Sequence, residues 1–560
     1  MRLLILFALL ALASIASAAC VATERTLYVP AIVDDNRSEM VNIGVETKPG
    51  TGEVFVSVTP AVGLYTQQSE KIASDIAFAI WGEKECDVFL RIFAKNEINQ
   101  VDGPSAGAAI SLLLISALSG EPLRDDFSVT GTIEDDGTVG LVGGIPLKAE
   151  AVAKLGKKLF IVPVLPKSDK IGIILIKKFY NLTVFEASDI SAAYDLAASN
   201  RSADDRLVLE PETKTPFVEA TIDHPQLEYF KETAKSLIDK AENGAKDAEL
   251  HYLANFESRL QNAKAAFDKK QYYTAANIAY TLAIDEDYAN YSPDNLRKEI
   301  GNVNACISSF TRKNITVQNF ELTGPAELRY VWSKKRLPQP RAANGFVAAE
   351  FSDYDNALFA KYWCDTALRL NNYSASENET SFDGKVVSPY AKDLLNSAVL
   401  GMENVDDEDL QWHLDAAKAA YEEGLYVASI IDSNFVLSSV QAASAEPNAS
   451  AEFINEYINR TYKYLWPQLY QNHAKSFGDD RATAARMLLF ASKLNESFDA
   501  IERIAITSKG QSPENQNKTA QAAQADMAIQ QGINEGNTVK LLLILVVIVF
   551  VYAARKHGSD

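Results

Sequence analysis

Apolar residues in the first 200 positions come in short runs, and from about 224 onward they recur at helical spacing. Thr26-Leu27-Tyr28-Val29 and Val54-Phe55-Val56-Ser57-Val58 are β-branched and aromatic, with turn signals at Pro49-Gly50 and Gly52, so residues 24–60 read as strand-rich. Ile72, Ile76, Ala79 and Ile80 share one helical face, which predicts a helix over Ser69–Trp81 with Ser69 as its cap. Val88–Phe93 reads as a strand, Ala106–Leu118 as an apolar helix, and Ser128–Ile133 and Leu159–Val164 as further strands. This alternation predicts an α/β or α+β domain over residues 20–198.

A polar stretch over 199–223 reads as a linker, and residues 224–508 read as long amphipathic helices. Two segments resemble each other: Ala263-Lys264-Ala265-Ala266-Phe267 followed by Tyr272, and Ala417-Lys418-Ala419-Ala420-Tyr421 followed by Tyr426. A looser third copy carries Phe351, Tyr354 and Ala357. Small residues, an aromatic, a polar turn and a tyrosine predict a helix hairpin, the unit of tetratricopeptide-like repeats. No strict 34-residue period is present, which leaves an irregular bundle as an equal reading. Residues 509–538, rich in Gln, Asn, Gly and Ala, read as a stalk.

The two ends predict a topology. Residues 1–19 have the form of a secretory signal, with Arg2, the apolar Leu3–Leu12 and the small-x-small Ala16-Ser17-Ala18. Cys20 follows, but Ser17-Ala18-Ala19 lacks the leucine usual before a lipidated cysteine. Residues 539–554 form a short apolar run that predicts a transmembrane anchor, and Arg555 and Lys556 place the tail 555–560 in the cytoplasm. The bulk of the chain is then expected outside the cytoplasm. Eleven Asn-x-Ser/Thr sequons agree with an exported glycoprotein, and none lies between 40 and 180.

Composition narrows the partners. The 560 residues are 47% apolar and 23% charged, enough for folded domains, and the net charge of −20 excludes nucleic acid as a partner. Cys20, Cys86, Cys306 and Cys364 form no CxxC pair, and a Cys306–Cys364 bridge stays open. The five histidines all fall outside residues 20–198, so a Ser-His-Asp triad and a histidine zinc site are excluded there. No P-loop is present, and neither ATP nor another cofactor is expected.

The candidate chemistry lies in two segments. Asp102-Gly103-Pro104-Ser105-Ala106-Gly107 is a tight turn that places Ser105 at a helix start, where N–H groups suit an oxyanion. The bland alternative makes Ser105 a helix cap. Downstream, Thr130-Gly131-Thr132-Ile133 and the turn Asp136-Gly137 precede Gly143-Gly144-Ile145-Pro146-Leu147-Lys148-Ala149-Glu150. Without histidine, Lys148 can serve as the base if burial lowers its pKa; a solvated helix lysine is the bland alternative.

Together these residues resemble the proteolytic domain of the Lon family. That family carries its serine in a D-G-P-S-A-G turn and its lysine some forty residues later. Gly143–Ala151 is closer to the archaeal membrane-type pattern than to the bacterial one. Gly63-Leu64-Tyr65, Gly120-Glu121-Pro122-Leu123-Arg124 and Val162-Pro163 match further. The resemblance covers about 60–190. It implies a Lon-type α+β fold, Ser105 as nucleophile, Lys148 as general base, Thr130 as the hydroxyl that orients the lysine, and an oxyanion hole beside Gly103 and Ala106. It also implies polypeptide substrates, a homo-oligomer and, with no ATPase module in view, ATP-independent cleavage of unfolded chains. The helices of 224–508 have no counterpart in it. A non-catalytic surface scaffold built on the same domain is the alternative. The sequons, the short anchor, the acidic balance and the Lon subtype lean towards an archaeal source.

Overall fold

Alternation of apolar and polar residues turns the start of the chain into a one-faced sheet. The computed structural model describes residues 20–34, 37–57, 61–81, 86–93, 100–101, 103–198, 217–243, 255–339, 346–373, 381–444 and 451–508, less 218, 221, 223, 225, 289 and 478–479. The signal segment 1–19, most of the linker, and the stalk, anchor and tail (509–560) lie outside the described residues. Among the described residues, no helix is long and apolar enough to cross a membrane. The chain divides into two compact units. One is Met1–Pro211 with Lys246–Phe256 and Pro340–Tyr354; the other is Glu212–Ala245 with Glu257–Gln339 and Asp355–Asp560.

In the first unit, β1 (Thr23–Asp34), β2 (Arg37–Pro49), β3 (Val54–Val56) and β5 (Cys86–Phe93) form a sheet in the order β1-β2-β5-β3. The first three neighbours are antiparallel, and β3 joins β5 in parallel. Leu27, Ile43 and Ile92 lie across from one another, and Val41, Val45, Val88 and Leu90 complete the buried face. Against it lies α2 (Gly107–Ser119), preceded by α1 (Leu64–Trp81) and the two-residue strands β4 (Ala61–Val62) and β6 (Gln100–Val101). Every residue of α2 from Gly107 to Leu118 is buried, which is the fate of a helix apolar on all sides.

A second sheet has the parallel order β11-β10-β7, from β7 (Phe127–Val129), β10 (Leu159–Val162) and β11 (Thr183–Glu186). Between β7 and β10 come the hairpin β8 (Thr132–Ile133) and β9 (Val139–Gly140), then α3 (Ile145–Lys154). α4 (Lys167–Tyr180) crosses from β10 to β11, and α5 (Ile190–Ala198) follows. The α+β expectation holds for this region.

Two expected elements differ. The strand expected over Ser128–Ile133 is broken at Thr130-Gly131, where the Gly131 N–H leaves the ladder for Ser105 O (3.1 Å). α1 begins at Leu64, so Ser69 lies inside the helix and caps nothing; its hydroxyl donates to Pro104 O (3.2 Å).

From Leu227 the described residues form helices joined by loops, with an isolated bridge between Thr316 and Ser381. In order they are α6 (Leu227–Asn243), α7 (Phe256–Asp268), α8 (Tyr272–Tyr288), α9 (Pro293–Ser309), α10 (Phe320–Arg336) and α11 (Val347–Tyr373). Then come α12 (Ser388–Gly401), α13 (Glu408–Glu422), α14 (Tyr426–Ser444), α15 (Ala451–Ile458), α16 (Leu465–Ala474) and α17 (Arg481–Thr507).

The two similar segments are one hairpin built twice. The α7–α8 turn puts Lys270 at φ 57° and the α13–α14 turn puts Gly424 at φ 72°. Gln271 N–H closes on Ala266 O (2.9 Å), and Leu425 N–H closes on Ala420 O (2.8 Å). The flanking rings repeat too: Phe267–Tyr272 centroids are 5.2 Å apart and Tyr421–Tyr426 centroids 5.3 Å. The looser third copy is no hairpin, because Phe351, Tyr354 and Ala357 lie within the unbroken α11.

Each unit carries a disulfide, Cys20–Cys86 in the first and Cys306–Cys364 in the second. With Cys20 bonded to Cys86, no thiol is left there for a lipid. The bridges span 66 and 58 residues. Closing loops of that size stabilises by about 4 kcal/mol each, through the unfolded chain. Two disulfides point to an extracytoplasmic location.

Candidate active site

Ser105 sits in the 3-10 turn Pro104–Ala106 that leads into α2. Gly103 opens this turn at φ 141°, a conformation that L side chains rarely adopt. Thr66 of α1 holds it: the Gly103 N–H donates to Thr66 Oγ1 (3.1 Å), and that hydroxyl donates to Gly103 O (3.1 Å). Gly107 lies so close to β8 that a Cβ there would stand 2.9 Å from Ile133 N, so only glycine lets the helix start this near the hairpin.

The cap reading of Ser105 does not survive this geometry. The cap residue of the 3-10 turn is Gly103 and that of α2 is Ala106, and neither turn has a side-chain cap bond. The Ser105 hydroxyl is therefore not spent on a helix end. Its backbone carbonyl is fixed instead, accepting from Gly131 N–H (3.1 Å) and from the Thr130 hydroxyl (3.3 Å). The N–H of Gly107 is committed to Pro104 O and that of Ala108 to Gly131 O (3.2 Å).

Lys148 lies in the first turn of α3, its N–H on Gly144 O (3.0 Å). It is 3% exposed. Burial pulls its ammonium down to about 8. Its Nζ donates to Thr130 Oγ1 (3.4 Å), and Thr130 is itself buried. Among the described residues Lys148 has no carboxylate partner, and the link from Lys148 to Ser105 runs through Thr130 rather than directly. Sequence alone places Ser105, Thr130 and Lys148 on three separate elements; the fold gathers them around one hydroxyl.

The helix under Lys148 is held firmly. Glu150, fully buried, accepts from the Tyr180 hydroxyl (2.7 Å), pairs with Lys154 (2.9 Å), and takes the N–H groups of Val347 (2.9 Å) and Ala348 (2.8 Å), which belong to the same unit. These bonds orient α3 and so the lysine on its second position downstream from Pro146.

Sequence reading passed over the buried stripe of α1. Thr66, Ser69 and Glu70 share the face of α1 that is buried, and the first two bond Gly103 and Pro104. Glu70 is 2% exposed, its Oε1 has no hydrogen-bond partner among the described residues, and burial pushes its carboxyl up to about 7. The signal was the polar set Thr66, Ser69, Glu70 and Ser74 at helical spacing, on a face adjoining the apolar residues that define the element.

Comparison with known proteins fits this geometry. Residues 56–187 match the family described as Lon protease (S16) C-terminal proteolytic domain. An archaeal Lon protease of Methanocaldococcus jannaschii is 43% identical over 65 residues, 12% of this chain and 10% of that protein. A Lon protease of Mycoplasma mycoides is 32% identical over 131 residues, 22% of this chain and 16% of that protein. The mitochondrial Lon protease homolog of Drosophila melanogaster is 31% identical over 132 residues, 22% of this chain and 13% of that protein. The chain thus spans between a tenth and about a sixth of the length of these relatives. A Lon-type proteolytic domain implies a serine peptidase and polypeptide substrates.

Proposed function

We propose that the chain is an exported, membrane-anchored serine endopeptidase that uses a Ser105–Lys148 dyad on unfolded or flexible polypeptides without ATP. The observation that carries the reading is Lys148: a buried lysine, pulled to about 8, hydrogen-bonded to the hydroxyl that also holds the Ser105 carbonyl. A solvated helix lysine would have none of these properties.

In the proposed reaction the neutral Lys148 amine takes the Ser105 proton as Oγ attacks the peptide carbonyl. The oxyanion forms at the positive end of α2, beside the backbone N–H groups of residues 105 and 106. The ammonium then protonates the leaving amine, and the acyl-enzyme is released by a water deprotonated by the same lysine. Thr130 is a positioning residue that keeps Nζ aimed at the turn. Rotation of the Ser105 side chain towards Nζ is the movement required on substrate binding, since such hydrogen bonds tighten in the Michaelis complex. The helical region would hold partners or a homo-oligomer, and the 539–554 segment the membrane.

A fluorophosphonate serine probe tests this reading on the full chain. Labelling of the parent, lost in Ser105→Ala and in Lys148→Ala, is the expected result. Equal labelling of the Ser105→Ala chain would remove Ser105 as nucleophile.

A further inference from the structure

The helical unit encloses a cavity of about 500 Å³, within the range of small-ligand sites. Trp332, Trp363 and Trp412 stand in one wall as a triad, with ring centroids 5.3, 5.6 and 6.0 Å apart. Trp466 stands elsewhere in the wall against Tyr273 (5.8 Å). Burial drives the hydroxyls of Tyr273 and Tyr280 far above their ordinary pKa, yet both rings keep accessible surface, as do those of the tryptophan triad. Such rings lie deep in the unit and open onto the cavity.

α10 supplies the charge. Arg329 and Arg336 both line the cavity, two turns apart, about 10 Å along the helix. The Arg329 guanidinium is 5.1 Å from the Trp332 ring and 4.8 Å from the Trp466 ring, and its Nη1 donates to Pro325 O (3.3 Å). The Arg336 guanidinium is 5.5 Å from Phe359 and 5.8 Å from Trp412. Its Nε is buried without a hydrogen-bond partner among the described residues, and so is the Tyr280 hydroxyl. Neither arginine makes a direct ion pair with a carboxylate among the described residues; the buried Asp355, which accepts from the Tyr288 hydroxyl, acts on Arg336 only at longer range. Asp432 in the wall is already taken by Trp332 Nε1 (2.9 Å) and His413 Nδ1 (2.8 Å), and Asp409 sits exposed at the rim.

Two guanidiniums in an aromatic cavity, in a chain of net charge −20, call for an anion. A bare inorganic anion would leave the tryptophan wall uncovered. We propose that the cavity binds a carboxylate borne on an aromatic or large apolar body, either the free C-terminal end of a peptide or a small arylalkanoic acid. The carboxylate lies towards Arg336 and Arg329, and the apolar body fills the space between the tryptophans. Binding needs neither Ser105 nor Lys148, so it stands apart from the peptidase reading.

Four of the five tryptophans line the cavity, so the emission of the full chain reports entry directly. The ligands to titrate are acetyl-Leu-Phe as the acid and as the C-terminal amide, and 3-phenylpropionate with its amide. The acids should bind at least about tenfold more tightly than the amides. Arg336→Gln should reduce that preference to about twofold, and Arg336→Lys should keep part of it. A peptide acid far tighter than 3-phenylpropionate assigns the site to peptide ends, and equal binding assigns it to small acids; both sustain the proposal. Acids and amides that bind alike, or emission unmoved by either at millimolar concentration, would overturn it. Should the Arg336 variants not fold, the acid–amide comparison on the parent decides alone.

Discussion

Each unit sets its buried cations mainly against carboxylates and leaves a marked exception. In the α+β unit Lys170 meets Glu186 and Lys154 meets Glu150; in the helical unit Arg259 meets Asp285 and His413 meets Asp432. The exceptions are Lys148 in the first and Arg329 with Arg336 in the second. An uncompensated buried cation is expensive, but the two kinds of cation respond differently. A lysine can lose its proton, and burial has moved Lys148 to about 8, where the neutral amine is within reach. A guanidinium cannot; Arg329 is met by rings and the Pro325 carbonyl, Arg336 by rings and the nearby buried Asp355, and the rest is left to whatever enters the cavity. On the two proposed readings, the lack of a direct ion-pair partner yields a base in one unit and an anion site in the other.

The largest expected effects break that comparison at its first member. Ser105→Ala and Lys148→Arg should each lower proteolysis by about a thousandfold or more, measured on an unfolded protein substrate. The arginine variant is the sharper one, since it keeps the charge and removes only the ability to give up the proton. Activity retained by it would mean that Lys148 acts as a fixed cation.

Next is stability. The folded pKa of Lys148 lies below its unfolded value of 10.5, so the unfolded chain binds the proton more tightly. The penalty is complete below about pH 8 and fades as pH rises to 10.5. Lys148→Met should then stabilise the fold by about 3 kcal/mol at pH 7, while abolishing activity, with the gain vanishing near pH 10.5. Denaturant melts at the two pH values measure it.

Thr130→Val is a milder test. It removes the hydroxyl between Lys148 Nζ and the Ser105 carbonyl, and turnover should fall by about 10- to 100-fold. The ammonium also loses an acceptor, so the acid limb of the pH–rate curve should move to lower pH. A merely structural threonine would leave that limb in place.

The last effect, which leaves the dyad untouched, concerns Glu70, whose carboxyl is raised from 4.5 to about 7. Stability held by the neutral acid is complete below 4.5 and is lost as pH rises through about 7. Glu70→Gln should change nothing at pH 4 and should stabilise by about 3 kcal/mol at pH 8. Thermal melts at both pH values report the difference.

The candidate site was more legible in the sequence than its surroundings, for a physical reason. Ser105, Thr130 and Lys148 sit on turns whose glycines and prolines are tied to position, so their spacing carries the geometry. The expected strand through Ser128–Ile133 hid the break at Thr130-Gly131, because β-branched residues continue across it. Pairing of β3 in parallel with β5 leaves no local trace, since register depends on partners far along the chain. The cavity was invisible for the same reason: its rings run from Tyr229 to Phe490, and each alone reads as an ordinary apolar position on a helix. The α7–α8 and α13–α14 hairpins were legible because small residues, ring and turn stand together in a dozen positions.

The central claim rests on a neutral Lys148 activating Ser105. Its most direct test is the pH dependence of casein cleavage by the full chain without ATP, beside Ser105→Ala. The account predicts cleavage that rises through about pH 8 to a plateau and is absent from the variant. Cleavage that persists in Ser105→Ala, or a parent rate flat from about pH 6 to 9, would contradict it.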